Sequence, residues 1–243
     1  MKMIAFAKRC AKEILRDPLN LMFGLGFPVV LLLLLSAIQA NIPVSLFEIE
    51  SLAPGITIFG LSFMTLFSST LIARDRESSF LQRLYTTPLK SFDFILGYML
   101  PIIPIAIVQS AVCYLLAVIL GLPVTINISY AILMILPAAI FHIALGLLCG
   151  SIFNVKQVGG ICGALLTNLS AWLSGIWFDL DLVGETFGKV ANLLPFVHAV
   201  ELERAMISGN FNEALPHLYP MLGYAIVTTA AAILFFLRQM KRQ

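Results

Sequence analysis

Residues 74–93 read RDRESSFLQRLYTTPLKSFD, a charged island between two long apolar runs. The island holds four of the fifteen Lys and Arg residues, Arg74, Arg76, Arg83 and Lys90. Charge at this density is too costly for hydrocarbon, so the island predicts a loop on one membrane face. Within it Phe80, Leu81, Leu84 and Tyr85 recur at the spacing of a short helix with one apolar face. Thr87-Pro88 stops that helix, because the residue before a proline is pushed out of α geometry and the proline has no N–H to donate. Ser91 is placed to cap the next helix, with Asp93 favourable in its first turn. The stretch therefore predicts a short amphipathic helix, a break, and a fresh start into the membrane.

The rest of the chain supports that setting. It is 60% hydrophobic and 12% charged, against about 45–50% and about 25% in globular domains. A mean hydropathy of +0.97 excludes an ordinary soluble fold. No polar segment is long enough to fold alone, so residues 1–243 read as one all-α membrane domain. Cys10, Cys113, Cys149 and Cys162 show no metal or redox spacing and read as buried free thiols. The start is basic and then apolar, but the uncharged stretch 18–47 exceeds a signal-peptide core of about 7–15 residues.

Residues 2–16 place Ile4, Ala7, Ala11, Ile14 and Leu15 on one helical face and Lys8, Arg9, Lys12 and Arg16 on the other. Such a helix either lies in the membrane interface or serves as a plain basic anchor beside the first span. Asp17-Pro18 reads as N-cap and first helical position. Spans are expected near 19–39, 54–73, 95–120, 131–152, 157–177 and 218–237. The uncharged run 94–155 is too long for one crossing, and Gly121-Leu122-Pro123 supplies its turn. Six spans put both termini on one side. Thirteen of the fifteen basic residues then fall on that side, which predicts cytoplasmic termini and a cytoplasmic island. The long outer segment 178–216, interrupted by Pro195, is expected to hold a shallow re-entrant or interfacial pair of short helices.

Catalytic chemistry finds no support in the residues. There is no GxxxxGK[ST], no HExxH, no GxSG and no acidic pair inside a span, so the chain reads as a non-enzyme with no metal or cofactor of its own. His142 is the only ionisable group deep in a span apart from thiols and tyrosines. It is either a functional group or an interhelical hydrogen-bond partner on a helix with Gly146 and Gly150. Phe59, Phe63 and Phe67 make a stripe that lines an apolar substrate path or packs against neighbours. Gly159, Gly160, Gly163, Ala164, Ala171, Ser174 and Gly175 make a small-residue face suited to close contact within the chain or between two chains. An ion-coupled secondary transporter is the alternative class, although the mid-membrane carboxylates usual there are not seen.

The layout resembles the permease subunits of ABC-2-type ABC transporters, mostly bacterial exporters. Asp75, Arg76, Glu77, Leu81, Arg83, Leu84, Thr87, Pro88, Leu96 and Gly97 stand where that family has its acid-Arg-Glu, Leu-x-x-Leu, Thr-Pro and apolar-Gly pattern. Ser79 and Phe80 replace the usual Gly-Thr. Leu194-Pro195-Phe196-Val197-His198-Ala199 is similar to the family's motif after the outer hairpin. The resemblance implies that the island is a coupling helix that docks on an ABC ATPase subunit. Phe80, Leu81, Leu84 and Tyr85 would bury in its groove, while Arg76, Glu77 and Arg83 would set register at the rim. It also implies two ATPase copies that bind ATP and Mg, a second permease, identical or paralogous, and a dimer seam at Gly159, Gly163, Ala171 and Ser174. The resemblance further implies a multi-pass protein of the bacterial cytoplasmic membrane, in contact with membrane lipid and not with nucleic acid. The cargo implied is amphiphilic or hydrophobic, drug or antibiotic efflux being favoured over a lipid-linked glycan.

Overall fold

The computed structural model describes residues 2–78, 80 and 91–240. Its elements are helical, with no strand among the described residues. They are α1 (Lys2–Leu15), α2 (Pro18–Gln39), α3 (Ile49–Glu77), α4 (Ser91–Met99), α5 (Ile102–Ile119) and α6 (Asn127–Ile152). Then come α7 (155–172), the short α8 (Glu185–Asn192), α9 (Pro195–Ser208) and the long α10 (Phe211–Met240). Five helical stretches are long and apolar enough to cross a membrane: α2, α3, α4 with α5, α6 and α10. Helix α7 stands where the fifth span was expected but is not among these five, because Lys156, Gln157, Thr167 and Asn168 make it more polar than the others. Helices α8 and α9 occupy the expected outer segment.

Several local expectations hold. Asp17 caps α2, its Oδ1 accepting the Asn20 N–H at 3.2 Å, and Pro18 follows at the first position. Gly121 turns the chain between α5 and α6 with φ 114°, a left-handed conformation that suits glycine alone. Other boundaries move. Helix α3 runs four residues beyond 73, because Asp75, Arg76 and Glu77 find partners there that the local sequence does not reveal. The third span breaks at Leu100-Pro101, since Pro101 has no N–H to continue the ladder. The last helix begins at Phe211 rather than 218, with Pro216 and Pro220 inside it. Both α2 and α7 contain a π-turn, at Met22–Gly26 and Ile161–Leu166.

Helix α3 is the axis of the bundle. It is almost wholly buried, whereas α2 and α10 keep most of their surface outward. Its closest neighbour is α6, and small residues let the two backbones meet. Ser68 Oγ donates to Met64 O at 2.8 Å and lies 3.1 Å from Ile143 O across the seam. A Cβ built on Gly146 would stand 1.8 Å from Ser68 Oγ and 2.4 Å from Thr65 O, and one on Gly150 would stand 2.5 Å from Ser69 O. Backbone oxygens cannot swing aside, so Gly146→Ala is expected to cost about 1–3 kcal/mol through overpacking. The check is the thermal unfolding midpoint in detergent. Gly223→Ala, where a Cβ meets nothing within 4 Å, should leave it unchanged or slightly raised.

Candidate functional site

Three consecutive residues at the end of α3 fasten the base of the charged island to the bundle. Asp75 comes first, with a side chain only 2% exposed. Arg9 of α1 grips it with both terminal nitrogens, Nη1 to Oδ2 and Nη2 to Oδ1 at 2.6 Å. The Tyr98 hydroxyl of α4 donates to Oδ2 at 2.8 Å. Arg9 also pairs with Glu13 at 2.7 Å, and its guanidinium lies 4.3 Å from the centroid of the Phe80 ring. Partial burial works against the Arg9 charge, but Asp75 and Glu13 more than offset it and hold the guanidinium above its ordinary value. Burial pushes the neighbouring Cys10 thiol up to about 12, which leaves it unreactive.

Arg76 turns the other way. It donates to Ser151 O and, at 2.6 Å, to Phe153 O, with Gln239 Oε1 3.4 Å away. A guanidinium over the last carbonyls of α6 satisfies acceptors that the helix itself leaves open. Glu77 accepts the Val155 N–H at 2.9 Å, a carboxylate at the N-terminus of α7. Asn154 and Gln157 complete that start with a capping box. Residues 75 to 77 thus touch α1, α4, α6, α7 and α10. Arg76 and Glu77, expected at the rim of a docking surface, make these bonds within the chain. Phe80 lies half-buried beneath Arg9. Leu81, Arg83, Leu84, Tyr85, Thr87 and Pro88 lie outside the described residues.

The other expected positions are scattered through the bundle. Phe59, Phe63 and Phe67 are buried. The first two meet Phe27 of α2, Phe63 also stacks near Phe23, and Phe59 meets Trp177 edge-on. Phe67 fills the space beside Gly24, where a Cβ would sit 2.3 Å from its ring. His142 is buried with Nδ1 3.2 Å from Thr65 Oγ1, and that hydroxyl donates to His142 O at 2.9 Å. The network therefore makes Nδ1 the protonated nitrogen of a His–Thr bond between α6 and α3. The small-residue face divides: Gly159 is exposed, Gly163 rests against Leu66 of α3, and Ala171 and Ser174 are buried. Among the described residues no group of three His, Cys, Asp or Glu could hold a metal ion.

At the opposite end, Arg204 of α9 pairs with Glu201 at 2.6 Å and donates to Gly175 O at 3.1 Å. Beside it Glu203 is fully buried. Its Oε2 lies 2.5 Å from the Tyr114 hydroxyl of α5, so α9 is pinned to the third span by a buried acid. Nothing local distinguishes Glu203 from Glu201 within Glu-Leu-Glu-Arg, and the burial becomes visible only once α9 packs on the bundle. Arg9 and Tyr98 were missed for a similar reason, their partner Asp75 being 66 and 23 residues away.

A comparison with curated proteins finds no match. The family model described as ABC-2 type transporter matches residues 1–207, most of the chain. The chain belongs to the ABC-2 type transporter family, as a multi-pass membrane permease of an ABC transporter.

Proposed function

We propose that the chain is the permease subunit of an ATP-driven exporter, working as two permeases with two separate ATPase subunits that bind ATP and Mg. The observation that carries this is the wiring of Asp75, Arg76 and Glu77 to the ends of five helices at the base of the island. A push on the island by a closing ATPase reaches α1, α6 and α7 together, so the helices tilt as rigid bodies and access alternates between the two faces. In this reading α7 is also a crossing, the fifth in chain order, its exposed polar residues shielded by the second permease along the face that includes Gly159. Helices α8 and α9 form the re-entrant outer hairpin, and the basic end of the bundle is cytoplasmic. The cargo is amphiphilic or hydrophobic, with drug or antibiotic efflux favoured.

The test is association with the ATPase. Leu84→Asp puts a charge on the apolar ridge of the island, and it should abolish co-purification of the ATPase while the permease still inserts and folds. Undiminished ATPase association, or vesicle transport that follows a proton gradient and ignores ATP, would reject the reading.

A further inference from the structure

Helix α1 has three edges, and only one of them is used inside the chain. Phe6, Cys10 and Ile14 are buried, the Phe6 ring meeting Tyr98 at 4.9 Å between centroids. A second edge carries Lys8, Lys12 and Arg16, all exposed. These line an open groove of about 710 Å³ that continues past Asp17 and Pro18 to Arg74. Five cations and two acids line it, a local net charge of +3 (five less two). The acids are already engaged, Glu13 with Arg9 and Asp17 with Arg74. Lys8, Lys12 and Arg16 have no ion pair among the described residues. The residues outside that description contain no Asp or Glu that could supply one.

The third edge decides what the groove takes. Ile4 is one turn from Lys8, and Leu15 one turn from Lys12. Both are more than half exposed, and the apolar strip continues round the corner onto α2 as Leu19 and Met22, about as exposed. A row of unpaired cations beside an uncovered apolar strip, where a span enters the membrane, asks for an anion and hydrocarbon together. An acidic protein segment or a free phosphate supplies only the first. We infer that this groove is a binding site for the headgroup of an anionic phospholipid, its phosphate held by Lys8, Lys12 and Arg16 and its acyl chains lying along Ile4, Leu15, Leu19 and Met22. Arg9 joins the same helix to Asp75, so the lipid bears on the base of the island as well as on the anchor. The inference needs only that the chain is membrane-embedded and does not depend on the export reading.

The experiment uses the full-length permease in phosphatidylcholine nanodiscs with or without phosphatidylglycerol, and measures spin-labelled phosphatidylglycerol held per permease. At about 1 kcal/mol for each cation near an anionic surface, Lys8→Gln, Lys12→Gln and Arg16→Gln combined should weaken retention on the order of 100-fold. Lys189→Gln at the opposite end should change nothing. Lys8→Arg with Lys12→Arg should retain the lipid. Were the triple variant unable to insert, Lys12→Gln alone, with a loss of about fivefold, decides the matter. Undiminished retention in the triple variant would overturn the inference. So would displacement of the lipid by inorganic phosphate alone, which would make this a free-anion site. Loss of ATPase association with lipid retention intact would do the same, making the groove a protein-docking face.

Discussion

Asp75→Ala should lower the unfolding midpoint of the purified permease more than any other single truncation at the basic end. Removing one member of a buried ion pair costs about 3–5 kcal/mol, because the remaining charge has lost its partner. Arg9 is about a third exposed and keeps Glu13, so the ion-pair part falls at the low end of that range. Tyr98 has no such outlet. Its ring is fully buried, and a stranded hydroxyl there costs about 1–3 kcal/mol more. Replacing all three groups by apolar ones, Arg9→Met with Asp75→Leu and Tyr98→Phe, should recover most of the loss, as buried pairs often exchange for well-packed hydrophobes at little cost. Thermal unfolding in detergent checks both variants. A stable Asp75→Ala protein would mean that the Arg9–Asp75 pair does not hold α1 to the bundle. A triple variant no better than Asp75→Ala would mean that packing, rather than stranded charge, is what was lost.

The same cluster shows why some of this molecule is legible in its sequence and some is not. Apolar runs, Asp17-Pro18 and the Gly121 turn are local signals, because hydropathy and backbone geometry are settled within a few residues. The charged break between the apolar stretches of α3 and α4 was legible for that reason. Its base was not, because Arg9, Tyr98, Ser151 and Val155 come from four other elements. Extending α3 to Glu77 depends on those partners, and no helix propensity announces them. The π-turns are hidden likewise: Gly24 sits where a Cβ would collide with Phe67, a fact of tertiary packing. The Phe stripe shows the limit of periodicity. Spacing establishes that Phe59, Phe63 and Phe67 share a face, but only the fold shows that the face meets Phe23, Phe27 and Trp177. Glu203 is the sharpest case, a carboxyl in a charged tetrapeptide that ends in the interior.

Stability should fall as pH rises through neutrality, and Glu203 should be the cause. The residue lies on α9, outside the five spanning stretches, and is fully buried. Burial pushes its carboxyl up to about 8, while the Tyr114 hydroxyl works in the opposite sense. The folded chain therefore holds a proton that the unfolded chain, at an ordinary carboxylate value of 4.5, has already released. Stability falls with pH wherever the folded state binds more protons than the unfolded state. The contribution is fully present below about 4.5 and lost progressively until the folded group itself ionises near 8. Within that window the slope is about 1.4 kcal/mol per pH unit. Glu203→Gln keeps the shape, removes the titration, and should flatten that part of the curve, giving a midpoint at pH 8 no lower than the parent's. Glu203→Ala should instead destabilise at every pH, since it empties the site and strands Tyr114. Unfolding midpoints measured from pH 5 to 9 on the parent and both variants decide it. The difference between parent and Glu203→Gln isolates this carboxyl from His198, His217 and the exposed acids nearby. A slope unchanged in Glu203→Gln would mean that the buried acid is ionised in the folded protein, with a counter-charge held against its second oxygen, which has no partner among the described residues.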